Sequence, residues 1–385
     1  MKKTTPKLVK MMNRDLIINE LKQNPRQSRA DLSKKTQLSK PTVSEIVKEL
    51  IKEELVFETG VGPSSGGKKP INLIYNARSN YVVGILIEND TIFFTLGDMN
   101  GEIVNTIQEK FTPLTEGQVI VDSIIEGIMR ILESEKVDLE KVLGLVVGVS
   151  GIEMDSEDII ISSPTIKWGE INLRKELSNL LNKDVIIEND VNLMTIGEFY
   201  NGQGKDISNF VYLFIGNGIG SGLFLNGKFY KGFHSASGEI GYMMIGDEKK
   251  LNPDLGVFET NYGLFGVTKK LRQENINIVD ENADSLLRVL QDNKNHEEVE
   301  KILKETIYHW AKAAINIISI VDPQVVIISG ELINMNQSSF SQYKQTIEKF
   351  VPKMPEIKVT RLGSKAGLYG AVYLALENYS TSALK

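Results

Sequence analysis

Asn189, Asp190 and Asn192 follow directly on the apolar run Val185-Ile186-Ile187-Glu188. Such a run reads as a buried strand, and in open α/β sheets ligands gather just beyond the carboxyl ends of strands. Amides and a carboxylate delivered there can hold hydroxyl groups, and a carboxylate at 190 could equally take a proton from a hydroxyl as a general base. Further on, the strand pattern Val211–Ile215 runs into Gly216-Asn217-Gly218-Ile219-Gly220-Ser221-Gly222. This loop is no dinucleotide fingerprint, because Ser221 displaces the third glycine and a strand follows where a helix is needed. Cys is absent and only His234, His296 and His309 are present, so thiolate metal sites and disulfides are excluded. No metal and no cofactor is expected, and a chain without Cys fits the cytoplasm.

A second constellation lies near the start. Lys40-Pro41-Thr42-Val43-Ser44-Glu45-Ile46-Val47-Lys48-Glu49-Leu50 reads as a helix capped by Ser39, with Val43, Ile46, Val47 and Leu50 inward. Ser39, Lys40, Thr42, Ser44 and Lys48 are left to face outward, and a short polar, weakly basic face at a helix N-terminus suits the DNA major groove. Two helices precede it. The first is expected over Asn13–Leu21, with Leu16, Ile17, Ile18 and Leu21 apolar. The second is capped by Ser28, with Asp31 at the capping-box position. Gln37 sits in the turn, where a positive φ is needed. Strands over Leu55–Thr59 and Lys68–Ile74 flank a glycine-rich tip and read as a wing, placing Lys68 and Lys69 against DNA phosphates or the minor groove.

Charge supports the division. Residues 1–75 hold 15 Lys and Arg against 8 Asp and Glu, whereas the whole chain is −6. A basic head on an acidic body suits nucleic-acid contact by the head alone. No run of about 18 apolar residues exists, so no membrane span is expected, and no signal peptide is apparent.

The body alternates strands and helices from Tyr81 onward. Strands are expected over Tyr81–Ile87, Ile92–Leu96, Ile103–Thr106 and Val142–Val149, and a helix near Gln118–Glu133. The stretches Ile187-Glu188-Asn189-Asp190-Val191-Asn192, Gly216 to Gly222, Ser237-Gly238-Glu239-Ile240-Gly241-Tyr242, Asp322-Pro323-Gln324-Val325-Val326-Ile327 and Gly367-Leu368-Tyr369-Gly370-Ala371 occur in that order. With them the chain resembles the ROK family of repressors and sugar kinases over nearly its whole length. Its head resembles the xylose repressors of Gram-positive bacteria.

The resemblance implies a winged helix-turn-helix over 1–76 and a two-lobed, actin-like sugar-kinase body of ribonuclease-H type over 77–385. Lobe 1 would take about 77–195 plus 365–385, and lobe 2 about 196–364. It implies a sugar site of Asn189, Asp190, Glu239, Tyr242 and Glu259, with Asp190 at the position of the kinase base. It further implies a homodimer on operator DNA that is released by a small sugar, xylose being the expected one. Where kinases of the family carry an Asp-x-Gly-Gly-Thr phosphate turn, this chain reads Leu86-Ile87-Glu88-Asn89-Asp90-Thr91, so no enzyme activity is expected. The family's zinc motif is lost at Tyr242 and across Asp254-Leu255-Gly256-Val257-Phe258. The rival readings are an active sugar kinase with a DNA-binding appendage and a repressor governed by a protein partner.

Overall fold

Thr5 caps the first helix, which spans Pro6–Gln23 with Pro6 in its first turn. This start precedes the expected Asn13, because a Thr-Pro N-terminus is a strong helix signal even where the apolar period is weak. Ile17, Ile18 and Leu21 are buried as expected, but Leu16 is 44% exposed on the opposite face. The structure, a computed structural model, describes residues 5–61, 71–151, 165–248, 255–276 and 285–379. Lys68 and Lys69 of the expected wing, and Asp254, lie outside the described residues.

Ser28 and Asp31 form the reciprocal capping box of the helix Arg29–Thr36, and Gln37 follows at φ 58. Ser39 caps the helix Lys40–Lys52, which buries Val43, Ile46, Val47 and Leu50. The strands Val56–Val61 and Ile71–Tyr75 pair antiparallel, and the two-residue strand Gln27–Ser28 adds to the far edge of Ile71–Tyr75. Ile17, Leu32, Val47, Val56 and Leu73 meet in one small core.

The body holds two sheets built to one plan. The first contains Tyr81–Glu88, Thr91–Asp98, Ile103–Lys110, Val142–Val149 and Val185–Asn189. The second contains Phe210–Ile215, Ile219–Leu225, Lys228–Phe229, Val325–Gly330 and Glu356–Val359. Both run third, second, first, fourth, fifth in space. In each, the first three strands form an antiparallel meander and the last two lie parallel to the first. Val142–Val149, with neighbours on both sides, is almost wholly buried, while the edge strand Ile103–Lys110 alternates, as two-sided and one-sided burial require.

Helices Gly117–Ser134 and Leu173–Leu181 close the core of the first sheet through Ile120, Ile124, Ile128 and Leu177. Glu297–Val321 and Gln337–Phe350 do the same for the second through Ile307, Trp310, Tyr343 and Ile347. Two more helices, Asp190–Asn201 and Lys365–Tyr379, cross at backbone contact. A Cβ added at Gly197 would stand 1.9 Å from the Ala366 carbonyl oxygen, and one at Gly370 1.8 Å from that of Leu193. Only glycine permits so close a crossing. The lobe border expected at 195/196 falls inside Asp190–Asn201. That helix serves both sheets: a Cβ at Gly222 in the second sheet would meet Thr195 Oγ1 at 1.8 Å.

Head and body join through a short, pinned connection. Asn76 donates its side-chain amide to the Glu54 carbonyl at 2.8 Å and caps the turn Ala77–Ser79. Lys22, near the end of the first helix, donates to the Met99 carbonyl of the body at 2.6 Å and lies 4.8 Å from the Tyr75 ring centre. Burial pulls the Lys22 ammonium below its ordinary range, with Asp98 opposing the shift.

Candidate functional site

Asn189 ends a strand and caps a helix, so the chain turns sharply at the point where the site begins. Its side-chain oxygen accepts from the Val191 N–H at 2.9 Å and the Asn192 N–H at 3.2 Å. That oxygen is committed to the cap, which leaves the Asn189 amide nitrogen as the group able to meet a ligand. Asp190 is 9% exposed and accepts from the Val191 N–H at 2.8 Å. Burial pushes its carboxyl up to about 7, with Glu88 and Glu239 nearby adding to the effect and the Val191 N–H opposing it. Asn192 does not face a ligand; its amide donates to Glu188 Oε1 at 2.9 Å.

Glu188, 1% exposed, is the organiser that the sequence reading passed over. It accepts from Asn192 and from the Asn189 N–H at 3.0 Å, and it forms an ion pair with Lys231, which follows the second sheet's short strand Lys228–Phe229. The signal was present as an acid closing a buried strand, since a buried carboxylate needs a partner.

Glu239 and Glu259 come to the same place from the second sheet's side. Burial raises both carboxyls, and Glu239 adds to the rise at Glu259 while the Ile219 N–H opposes it. Glu239 is open to solvent, yet enough protein surrounds it to disfavour its charge. Glu259 also has a structural task, because its Oε2 accepts from the Ile219 N–H at 2.7 Å and holds the second hairpin. Tyr242 lies at the surface. It ends the turn Ile240–Tyr242 and is 64% exposed, because the neighbouring Ile240 takes the buried position. A surface groove of about 700 Å³ lined by Tyr308, Gln342 and Phe350 contains none of these residues.

The two sheets present equivalent hairpins at this site. In the first, Tyr81–Glu88 pairs with Thr91–Asp98 and Asn89 turns the chain at φ 54. Leu86 is fully buried, and burial raises the Glu88 carboxyl, a hydrogen bond to Ser364 opposing it. In the second, Phe210–Ile215 pairs with Ile219–Leu225 around Gly216-Asn217-Gly218. The tips touch: Asn217 donates its amide to Asn89 Oδ1 at 3.2 Å. After the fourth strand of the second sheet, Glu331 is buried and accepts from the Ser285 hydroxyl at 2.7 Å and the Leu287 N–H at 3.0 Å.

The residues present do not suit zinc. Among the described residues no three His, Asp or Glu side chains gather as a metal site. Val257, Phe258 and Tyr262 pack instead as the buried face of the helix Val257–Tyr262.

On the head, Lys40, Ser44 and Lys48 are exposed on one face of their helix, with Pro41 and Glu45 beside them. Thr42 is half-buried, and its hydroxyl lies 2.8 Å from that of Ser39, which also accepts from the Thr42 N–H. Ser39 and Thr42 therefore serve the cap first. Glu45 was missed, although its place one residue after Ser44 puts an acid on the outward face. At the far end of this helix, Arg14 and Lys10 of the first helix pair with Glu53 and Glu49, which fixes the angle at which the outward face is presented.

A ROK family model matches residues 82–378. The chain belongs to the ROK family. A winged helix-turn-helix DNA-binding model matches residues 14–56, so this ROK protein carries a DNA-reading head. It is 28% identical over 380 residues to a xylose repressor of Bacillus spizizenii, covering 96% of both chains. In fold it resembles a ROK family transcriptional regulator described as a homologue of the Escherichia coli MLC protein, with a TM-score of 0.77, 18% identity and 98% of each chain covered. It also resembles a ROK hexokinase from Thermus thermophilus, with a TM-score of 0.65 and 20% identity over 77% of this chain and 99% of that one. These two likenesses show the fold: a winged helix-turn-helix on a two-sheet sugar-kinase body. Among the described residues no helix is long and apolar enough to cross a membrane.

Proposed function

We propose that this ROK protein is a sugar-responsive transcriptional repressor in the cytoplasm. It binds operator DNA as a dimer, is released by a small sugar with xylose as the effector, and does no chemistry on that sugar. The observation that carries the reading is the contrast within one site. Asp190, Glu239 and Glu259 still offer acceptors to hydroxyl groups, while Leu86, Glu88 and Asn89 fill the first hairpin and Asn89 bonds to Asn217. A relative matching along nearly the whole chain bears the name xylose repressor, which supports the choice of sugar. Two heads reading half-sites about one helical turn apart give the specificity that one small head lacks. We take 1–76 as the DNA-binding unit and 77–385 as the effector-binding and dimerisation unit.

A run of contacts links the sugar site to the head. The helix Asp190–Asn201 carries Asp190 at one end and Tyr200 at the other. The Tyr200 ring stacks on Tyr373 at 3.9 Å. Gly101 lies against Tyr373, where a Cβ would stand 2.8 Å from the ring. Met99, in the same turn, accepts from Lys22 of the head. Contiguity is a route and coupling must be measured. Lys22→Met should keep operator affinity within about threefold but reduce the effect of sugar on it, since allosteric couplings are typically about 5–150-fold. An unchanged sugar effect would remove Lys22 from the route.

Thermal-shift measurement against xylose, glucose, N-acetylglucosamine and magnesium ATP tests the function itself. A sugar at 100 times its Kd should stabilise by about 2.7 kcal/mol, with no response to ATP. A response to ATP would return the protein to the kinases, and silence from every ligand would point to control by a protein partner.

A further inference from the structure

Glu45, Glu49 and Glu53 lie along the helix Lys40–Lys52 and its C-cap. Two of these acids are held from within the head: Glu49 pairs with Lys10 at 2.6 Å, and Glu53 pairs with Arg14. Glu45 is in neither pair. It is exposed, and among the described residues no ion pair or hydrogen bond holds its carboxylate. Lys10 feels it only as a nearby charge, since the Lys10 bond goes to Glu49.

The position of Glu45 on the helix is as telling as its lack of a partner. A helix advances about 100° per residue. Opposite the buried set Val43, Ile46, Val47 and Leu50 stand Pro41, Glu45, Lys48 and Lys52, each within about 30° of the outward direction, whereas Ser44 stands about 70° to one side. In a helix-turn-helix the second helix enters the major groove with its N-terminal residues at base edges. From Lys40 to Lys48, Glu45 is the one acid. DNA phosphates repel an acid placed there unless a base donor meets it. A carboxylate only accepts. In the major groove guanine shows two acceptors, thymine an acceptor and a methyl group, and adenine a donor beside an acceptor, while cytosine shows its N4 donor alone. Cytosine is the base that a carboxylate selects.

We infer that Glu45 is a specificity-determining residue of the head: its carboxylate accepts from N4 of one cytosine in each operator half-site and disfavours the other three bases there. The inference deepens the operator-binding reading above by adding a named base to it. Lys40 and Lys48, exposed on the same helix, attract any duplex. Glu45 makes that attraction conditional on sequence, because elsewhere on DNA it meets acceptors and phosphates with no donor in return.

The test is selection by the full chain, without sugar, from duplexes carrying about 40 random base pairs, room for two half-sites a few helical turns apart at most. Sequencing gives the motif, and titration at one fixed salt gives the affinities. The native chain should require a C·G pair in each half-site, and changing that pair should weaken binding about 5–150-fold, the range for one mismatched pair. Glu45→Gln should move the preference there to A·T, because a Gln amide pairs with adenine N6 and N7. Glu45→Ala should level the preference and tighten binding to duplexes lacking the motif, with the other positions unchanged in both variants. The same motif from all three chains, a change in affinity uniform across sequences, or a native motif with no required C·G pair would overturn the inference while leaving DNA binding intact. Enrichment of no motif by the native chain would remove the operator reading and this inference together. Should a variant fail to fold, the native chain carries the test. Replacing the cytosine by 2-pyrimidinone, which lacks the 4-amino group, should weaken native binding by the same factor, and unchanged binding would count against Glu45.

Discussion

Two hairpins occupy the same place in two sheets of one plan, and they differ in what their turns are made of. The second keeps Gly216 and Gly218 at its tip and is anchored by Glu259. The first carries Glu88 and Asn89, with Leu86 buried behind them. A hairpin with glycines lets a ligand approach backbone; one with a carboxylate and an amide presents side chains instead. The difference separates the two tasks of a sugar kinase. On the proposed function, the carboxyls around Asp190 are the acceptors for hydroxyl groups, while the first hairpin presents the acidic Glu88. We propose that this arrangement serves recognition and not transfer, with the DNA-reading head as what recognition controls.

The largest expected effect concerns Asp190, whose charge Glu88 of the first hairpin helps to disfavour. In the folded chain its carboxyl titrates near 7, against about 3.8 ordinarily. The folded state keeps a proton that the unfolded state has lost, so stability falls as pH rises from about 4 to about 7 and is level above. Asp190→Asn should therefore be more stable than the native chain at pH 8, by up to ~4 kcal/mol, and no different near pH 3. Thermal unfolding at the two pH values checks this, and equal gaps at both would contradict the assigned burial.

Next in size is the anchor of the second hairpin. Glu259→Ala leaves the Ile219 N–H without its acceptor and should cost about 1–3 kcal/mol in urea unfolding. A cost below about 0.5 kcal/mol would mean that this hairpin stands without Glu259, since that is the ordinary range of surface substitutions. The smallest effect belongs to Asn89→Gly, which removes the bond to Asn217 and relieves a positive φ. It should change stability by less than about 1 kcal/mol and produce no sugar-dependent ADP release, because Leu86 and Glu88 remain. ADP release from this variant alone would break the comparison, showing that one amide had closed a working phosphate site.

Much of this was legible in the sequence where the determinants are local. Ser28 and Asp31, the positive φ at Gln37, and the inward set Val43, Ile46, Val47 and Leu50 follow from capping and helical period. The strand Val142–Val149 is legible because a buried parallel strand leaves a continuous apolar run. The motif at Asn189 and Asp190 was legible as the end of a buried strand, but not the hydrogen-bonding roles its residues take. Asn192 and Lys231 serve Glu188, and that arrangement depends on a loop some forty residues away in the chain. The touch of Asn89 on Asn217 spans 128 residues, and that of Glu331 on Ser285 spans 46. No periodicity reports such contacts. Tyr242 was placed in the site by its motif position, whereas the packing of Ile240 beside it decides its exposure. The repeat of one sheet order in both halves is equally silent in the sequence, because strand order is a property of pairing and the strands themselves share no common spelling.

On the proposed function, sugar bound in the body weakens DNA binding by the head. The most direct measurement is operator affinity of the full chain by fluorescence anisotropy, at one fixed salt concentration, with and without saturating xylose. The account predicts a loss of about 5–150-fold, matched by an equal loss of xylose affinity when operator is present, because linkage is reciprocal. Equal operator affinity in the two conditions, from protein shown to bind the sugar, would contradict it.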